Sequence, residues 1–439
     1  MTRNLRTGLR FKHTYSGSQE KETNMPALTK TLLSISALGL FFASGSALGQ
    51  NVINLPSLGG SGSIANDIND MGEVVGQSTL AGGLGVTAVR WDAAHNATNL
   101  GSLPGAVLSE ALAINNNGII VGFSEVGSGA RLATVWDGRG GIVDMHAAIG
   151  ATGSSIPWDI NDSDVIVGQA SITAGIFARG FIWDQVNPAL QAGTDLYPGG
   201  ANYSVNNAGE IVGSGFFFGD PDDALLAVPD NRGGYEYPLI NPFGFYFSQA
   251  RAINNTGMII GHSAFNSTTN SWNAVIYTGD SHNPVTTLGT LPLLNTSEGA
   301  DVNDNGMVVG HSWDGEHTGL DPRAWAWVDG TMYDLNDMLG DHEEFEILSR
   351  ATAVNNNGDI VGFGRLLDGS TGAFLIEGFT PPAACPADMN GDGNLNFLDV
   401  SEFLTEFGRQ NPSADFTGEG QFNFFDVSAF LSAFGAGCP

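Results

Sequence analysis

One nine-residue pattern returns seven times and limits what this chain can fold into. Its plainest form is Ile114-Asn115-Asn116-Asn117-Gly118-Ile119-Ile120-Val121-Gly122, and it recurs at Ile68–Gly76, Ile160–Gly168, Val205–Gly213, Ile253–Gly261, Val302–Gly310 and Val354–Gly362. The leading Asn falls at 69, 115, 161, 206, 254, 303 and 355, so the spacings are 46, 46, 45, 48, 49 and 52 residues. A sustained period of this size marks a repeat architecture in which each unit is one supersecondary motif. The pattern itself reads as a β-hairpin. Asn and Asp make side-chain turns, Gly supplies positive φ, and the β-branched run that follows suits a strand. Asp164 stands where the other repeats have Gly72, Gly118, Gly209, Gly257, Gly306 and Gly358, and Asp tolerates the left-handed conformation. The repeated Asn is therefore expected to serve the turn.

Each repeat divides into four short strands. In the second repeat they are Glu110–Ile114, Ile119–Ser124, Leu132–Trp136 and a segment near Ile142–Met145. The third strand recurs as Ala88–Trp91, Gly180–Trp183, Ala274–Tyr277, Ala324–Trp327 and Ala373–Ile376, alternating small and large apolar residues as stacked sheets require. Its Trp stripe is expected in the core. Seven units of four antiparallel strands imply an all-β, seven-bladed β-propeller over residues 50–380. The seventh unit stops after its third strand. The segment Asn51–Gly60 matches the fourth-strand segments Thr98–Gly105 and Thr287–Pro292, so it is expected to complete the last blade and close the ring. One unit is aberrant. Between Ser214 and Phe247 the third strand gives way to Phe216, Phe217, Phe218, Tyr235, Tyr237, Phe243, Phe245, Tyr246 and Phe247 beside Asp220, Asp222 and Asp223. These aromatics either fill the blade or stack on sugar rings.

Charge narrows the partners. From Gln50 onward there are 10 Arg, no Lys and 44 acidic residues, a net charge of 10 − 44 = −34. Such a surface disfavours nucleic acid and anionic membranes, and suits neutral glycans or divalent cations. Residues 1–49 read as a leader with an export signal. Lys30 provides the positive region, Leu32–Ala43 the apolar stretch, and Ala47-Leu48-Gly49 the small-residue cleavage site. Met25 is a better start for that signal than Met1. The mature chain is expected to be secreted, extracellular or at the cell surface, with no membrane span.

Residues 381–384 form a short Pro-rich linker before a small module at 385–439. Asp388, Asn390, Asp392, Asn394, Asn396 and Asp399 fall at positions 1, 3, 5, 7, 9 and 12 of a calcium loop, with Gly393 at position 6 for the sharp turn. Asn394 contributes its backbone carbonyl. A second loop follows at an offset of 27, with Asp415, Thr417, Glu419, Gln421, Asn423 and Asp426. It has fewer short carboxylates, so two calcium sites are expected, the second weaker. After each loop an apolar helical stripe recurs: Phe397, Val400, Phe403, Leu404 and Phe407, then Phe424, Val427, Phe430, Leu431 and Phe434. Asn396 with Asp399, and Asn423 with Asp426, can cap those helices. Cys385 and Cys438 bracket the module and suggest one disulfide in an exported chain. Closing a loop of that length contributes about 4 kcal/mol in the chain-entropy picture.

Two resemblances follow from these motifs. The Ile-Asn-x-x-Gly-x-Val-Val-Gly pattern with its following Ala-x-x-Trp, over about 51–380, resembles the extracellular HAF-type repeat proteins of bacteria, which implies a secreted propeller-like protein. The paired loop-helix units over 385–438 resemble type I dockerin modules, which implies a calcium-dependent plug for a cohesin-like or cell-surface protein. Positions 10 and 11 depart from many dockerins, being Phe397-Leu398 and Phe424-Phe425. No His-Glu-x-x-His, nucleophile elbow, phosphate loop or Cys/His cluster appears, and His262 and His311, in equivalent Gly-His-Ser triplets, are expected at surface strand positions. The expected function is thus non-catalytic: a β-propeller with a binding face, glycan being the candidate ligand, docked or anchored by a calcium-binding module. A polysaccharide-degrading enzyme, glycoside hydrolase or lyase, carried by a dockerin is the second reading. A structural surface-layer component is the third.

Overall fold

A computed structural model describes residues 51–171, 179–184, 200–217, 220–238, 240, 247–264, 272–278, 285–315, 319–339, 344–381, 385–390 and 395–437. The leader, the export signal, Asp392, Asn394 and Cys438 lie outside the described residues, as do Phe218, Phe243, Phe245 and Tyr246. Among the described residues no helix is long and apolar enough to cross a membrane.

Seven antiparallel sheets follow one another along the chain. Six have four strands and the third has three among the described residues. In each, the first strand ends in the Asn turn and the second carries the β-branched run. The first strand of every blade packs against the first strands of both neighbours, and Gly59–Ile68 of the first blade packs against Phe345–Val354 of the seventh. The sheets therefore close into a ring with these strands innermost. Closure uses the N-terminal strand Val52–Leu55, which pairs with Thr371–Ile376, Val52 opposite Ile376 and Leu55 opposite Ala373. The seventh blade thus takes its outer strand from the start of the propeller, as the repeat pattern predicts. Leu55, Trp91 and Val361 are fully buried in one cluster that spans the junction.

The fourth blade differs from the sequence expectation. It has a third strand, Asp220–Pro229, paired with Ile211–Phe217, and a short fourth, Tyr235–Glu236. Ala224-Leu225-Leu226-Ala227 supply the apolar alternation, while Tyr235 and Tyr237 pack on the cluster of Val205, Ile211 and Ala227. These two rings fill the blade.

The Asn of each turn does more than build its hairpin. Its Oδ1 accepts backbone N–H groups two and four residues on, as Asn115 does from Asn117 and Ile119. Its Nδ2 donates to the carbonyl of the equivalent Asn in the next blade. The bonds run Asn69 to Asn115, Asn115 to Asn161, Asn161 to Asn206, Asn206 to Asn254, Asn254 to Asn303, Asn303 to Asn355 and Asn355 back to Asn69, at 2.8–3.2 Å. The circuit is closed, and all seven Asn are buried. A second tie sits further out. Ser63, Ser109, Ser155, Ser248 and Ser297 accept the N–H of Ala373, Ala88, Ala133, Ala224 and Ala274, each on the third strand of the preceding blade.

The last Gly of the motif has a separate cause. Every inner strand shifts register by one residue at the same place, for example between Ala250 and Ala252. Opposite this bulge, a Cβ on Gly76, Gly122, Gly168, Gly213, Gly261, Gly310 or Gly362 would lie 1.9–2.2 Å from a carbonyl oxygen of the inner strand. Only Gly fits that close approach. The bulged residues are Asn66, Leu112, Trp158, Tyr203, Arg251, Ala300 and Thr352.

In the C-terminal module, α1 (Phe397–Arg409) and α2 (Phe424–Ala436) each begin with a capping box, Asn396 with Asp399 and Asn423 with Asp426. Their core is aromatic. Phe403 stacks on Phe430 with ring centroids 4.0 Å apart, and Phe416 meets both edge-on. The predicted stripes are only partly inward. Val400, Phe407, Val427 and Phe434 pack on this core, but Phe397 (78 % exposed), Phe424 (75 %), Leu404 and Leu431 face solvent together with Leu398 and Phe425. One face of each helix is satisfied by a ring pair so compact that the outer apolar positions find no partner within it.

Asn254 tests the closed circuit. Asn254→Ala removes its bond to Asn303 and orphans the N–H groups of Thr256 and Met258. Urea unfolding should show a loss of about 2–4 kcal/mol; a loss below about 0.5 kcal/mol would mean the circuit contributes little.

Candidate functional site

Three places bring polar chemistry together: the turn end of the axis, the bulge level of the inner strands, and the C-terminal loops. At the turn end, residues following each Asn form a second closed ring. The N–H of Asp70 donates to Asn116 Oδ1, Asn116 to Asp162, Asp162 to Asn207, Asn207 to Asn255, Asn255 to Asp304, Asp304 to Asn356 and Asn356 to Asp70, at 2.8–2.9 Å. Amide side chains cross-link this ring, as Asn116 and Asn207 do to Asp162, and Asn356 to Asp70. The ring surrounds a polar depression of about 160 Å³ lined by all seven blades.

Beneath it lie Asp67, Asp159 and Asp301, on the blades that also carry Asp70, Asp162 and Asp304. Each takes its own next N–H and one from the following blade: Asp67 from Ile68 and Ile114, Asp159 from Ile160 and Val205, Asp301 from Val302 and Val354, at 2.7–2.9 Å. Burial raises all three carboxyls, Asp67 well above the usual range and Asp301 to about 6; repulsion adds to it, from Asp301 and Asp159 on Asp67, from Asp162 on Asp159, and from Asp159 and Asp304 on Asp301. The acceptors at this end are occupied by the protein's own donors, so this arrangement is a frame.

At the bulge level the lining is different. Five successive blades contribute Trp158, Tyr203, Arg251, Glu298 and Arg350. Trp158 meets Tyr203 edge-on at 6.1 Å, and the Arg251 guanidinium lies 4.6 Å above the Tyr203 ring. Glu298 sits between two arginines, Oε1 3.2 Å from Arg251 Nε and Oε2 3.4 Å from Arg350. Glu298 is only 13 % exposed, whereas the Arg251 and Arg350 side chains are 30 % and 34 % exposed. Burial would raise the Glu298 carboxyl, but Arg251, His262, Arg350 and His311 together outweigh it and hold it below its ordinary value. Behind Glu298 stand His262 and His311, which burial pushes down to about 4 and about 3, so both are neutral at pH 7. His262 is buried, not a surface residue as its sequence suggests; its ring stacks on Phe247 at 5.6 Å and meets Trp272 at 5.7 Å, the three rings forming a triangle. His311 stacks on Trp313 at 4.7 Å, and Trp313 meets Trp272 edge-on. On the first two blades the same level carries Asn66, whose amide donates to Glu110 Oε1 and the Ala111 carbonyl. Burial raises Glu110.

Sequence reasoning missed Trp158, Tyr203, Arg251, Glu298 and Arg350. The signal was the fixed Gly closing each motif. It marks the bulge, and the residues three and five before the turn Asn are those the bulge aims inward.

In the C-terminal loops the structure brings positions 3 and 12 together twice. Asp399 Oδ1 accepts the Asn390 N–H and Oδ2 that of Asn396; Asp426 Oδ1 accepts the Thr417 N–H and hydroxyl and Oδ2 the Asn423 N–H. Both carboxylates are fully buried. In the second loop Asp415 accepts from Glu419 and Gly420, its Oδ1 lies 3.5 Å from the Thr417 hydroxyl, and Asn423 donates to Glu419. Gln421 is exposed. The donors are all oxygens, the type that calcium takes. Asp388 joins the first loop, whose positions 5 and 7, Asp392 and Asn394, are outside the described residues. Among the described residues no three His, Cys, Asp or Glu side chains form a metal-holding group.

The buried Asp layer predicts a pH signature. A carboxyl raised from 3.8 to about 6 stabilises the fold fully below pH 3.8, and that contribution is lost as pH rises through 6. For Asp301 the swing is about 3 kcal/mol. Asp301→Asn removes the titration, so unfolding free energy should shift in the variant's favour between pH 4 and pH 7. A variant-to-parent difference that is the same at both pH values contradicts this assignment.

No protein-family model matches the chain, and no curated protein matches its sequence. Among solved structures it is similar to an ancestral GH74 enzyme (12% identity, 74% of this chain and 49% of that chain, TM-score 0.46). It is also similar to a putative TolB from Agrobacterium tumefaciens (12%, 75% and 97%, TM-score 0.38) and to a fungal lectin from Aleuria aurantia with a six-bladed propeller fold (12%, 75% and 100%, TM-score 0.30). The blade count and the closure of the ring rest on this chain's own strand pairings.

Proposed function

We propose that this is an exported, non-catalytic binding protein whose propeller presents a glycan-binding face and whose C-terminal module binds two calcium ions and docks the chain to a cohesin-like or cell-surface partner. The observation that carries this reading is the division of labour along the axis. The turn end is saturated by its own hydrogen bonds, while the bulge level presents guanidiniums and aromatic rings with donors to spare. A saturated frame beside a level of part-exposed guanidiniums and aromatic rings suits a binding platform. The docking half is supported by the paired loops. Asp388, Asn390, Asp392, the Asn394 carbonyl, Asn396 and Asp399 would hold the first ion, and Asp415, Thr417, Glu419, Gln421, Asn423 and Asp426 the second, more weakly. The exposed Phe397-Leu398 and Phe424-Phe425 pairs lie at equivalent positions of the two units and offer an apolar docking surface. A Cys385–Cys438 disulfide would tie the module's ends.

One observation favours the second reading, a polysaccharide-degrading enzyme. Glu110 and Glu298 lie at the same level on different blades, one raised by burial and the other lowered by two guanidiniums. Environments that push two carboxyls apart in pKa suit acid and base roles. The two readings separate in a glycan-hydrolysis screen. The binding protein releases no product; the enzyme does, and loses the activity on Glu110→Gln and on Glu298→Gln.

The calcium assignment predicts two binding events in a calorimetric titration of the full chain after chelator treatment. Asp388→Asn should abolish the tighter event and Asp415→Asn the weaker. No calcium uptake, or titrations of both variants that match the parent, would contradict it.

A further inference from the structure

We infer that Arg251 and Arg350, braced by Glu298, form a recognition site for the carboxylate of an acidic sugar, a hexuronate residue, with Trp158 as the apolar surface beside it. The inference rests on the reading of the propeller as a glycan-binding platform and names the class of sugar that platform takes.

Donor supply is the first ground. Each guanidinium has five N–H donors. Glu298 accepts from one side of each, through Arg251 Nε and an Arg350 terminal nitrogen. Beyond these contacts Arg251 has the ring of Tyr203, and neither arginine has another partner among the described residues. Both side chains remain about one-third exposed. Two planar forks with unused donors, fixed by a common brace, match a planar carboxylate better than a hydroxyl, because charge-assisted bidentate bonds are stronger and more directional.

Charge is the second ground. The cluster holds two positive groups and one negative, and the neighbouring His262 and His311 are neutral near pH 7. The local charge is 2 − 1 = +1 inside a chain whose net charge is −30. A monoanion neutralises that excess. A cation is repelled by it, and a neutral sugar leaves it unmatched. The surrounding negative field also disfavours multiply charged anions more than a single carboxylate.

Shape is the third ground. Trp158, Tyr203 and Arg251 are bulge residues on three adjacent blades, so the aromatic and cationic groups are held at one level by the same backbone device. Tyr203 gives one face to Arg251. Trp158 is only partly buried, which leaves part of its ring for a sugar, although its indole N–H is itself buried.

The test is calorimetry on the full chain at low salt, with methyl galacturonoside, which carries a single carboxylate, and neutral methyl galactoside as probes. The acidic glycoside should bind at least ten-fold more tightly than the neutral one, and the preference should shrink as salt is added. Arg251→Gln and Arg350→Gln should each weaken it at least ten-fold, while Arg365→Gln, at an exposed ion pair with Asp321 and Glu346, should leave it unchanged. Glu298→Gln keeps an amide oxygen as acceptor for the brace but removes the competing negative charge, and should tighten binding several-fold, a gain that misfolding cannot produce. Equal affinity for both probes, or parent-like affinity in both Arg→Gln variants, overturns the inference. Binding of the neutral probe alone overturns it and leaves the platform reading standing; binding of neither overturns both.

Discussion

The structure depends on one repeated interaction, the bond from the turn Asn of each blade to the carbonyl of the same Asn in the next. A side chain that only capped its own hairpin would stabilise seven independent units. Here Oδ1 organises the hairpin and Nδ2 reaches the neighbour, so the residue that ends one strand also sets the position of the next blade. In an open repeat array such ties end at exposed terminal repeats. In this chain they return to their origin, because Val52–Leu55 supplies the seventh blade's outer strand and brings Asn355 back to Asn69. The ring of backbone N–H to Asp and Asn oxygens at 70, 116, 162, 207, 255, 304 and 356 repeats the device one residue later.

That closure has a consequence for function. A fully satisfied axial end is rigid and has little left to offer a ligand, so variation is free to accumulate elsewhere on the same strands. It does so at the bulge. The backbone there is fixed by the Gly that faces it, while the bulged residue ranges from Ala300 to Trp158 and Arg251. One geometric constraint thus holds seven side chains at a common level and leaves their chemistry open. Glu298, two residues before the bulged Ala300, shows how a charge is kept beside that level. It is largely buried, which by itself raises its carboxyl, and Arg251, His262 and Arg350 around it hold it below its ordinary value instead. The reverse holds for Asp301, which has backbone donors but no cation and is pushed up to about 6.

The frame was legible in the chain and the site was not, for a physical reason. Period, turn chemistry and the incomplete seventh unit are local signals, so the blade count, the Trp91 and Trp136 core and the completing strand could be read directly, although Trp183 and Trp327 of the same stripe are only partly buried. Contacts between blades join residues about one period apart, and nothing in a single repeat announces that Arg251 meets Glu298 and Tyr203. The final Gly of each motif was visible, but its meaning needed the carbonyl opposite it. His262 was misjudged because a polar residue in a strand suggests solvent, whereas Phe247 and Trp272 enclose it. The C-terminal helices show the opposite error. Helical spacing placed Phe397 and Phe424 in a core, but the stacked Phe403 and Phe430 already fill it, and the outer rings are left exposed.

The central claim is that the seven blades are one hydrogen-bonded circuit. Amide hydrogen exchange at Asp70, Asn116, Asp162, Asn207, Asn255, Asp304 and Asn356, in the full chain and in a chain lacking Val52–Leu55, tests it most directly. The account predicts common strong protection at all seven amides in the full chain, and loss of protection at all seven when the closing strand is removed, Asn207 on the fourth blade included. Loss confined to the seventh and first blades would contradict it.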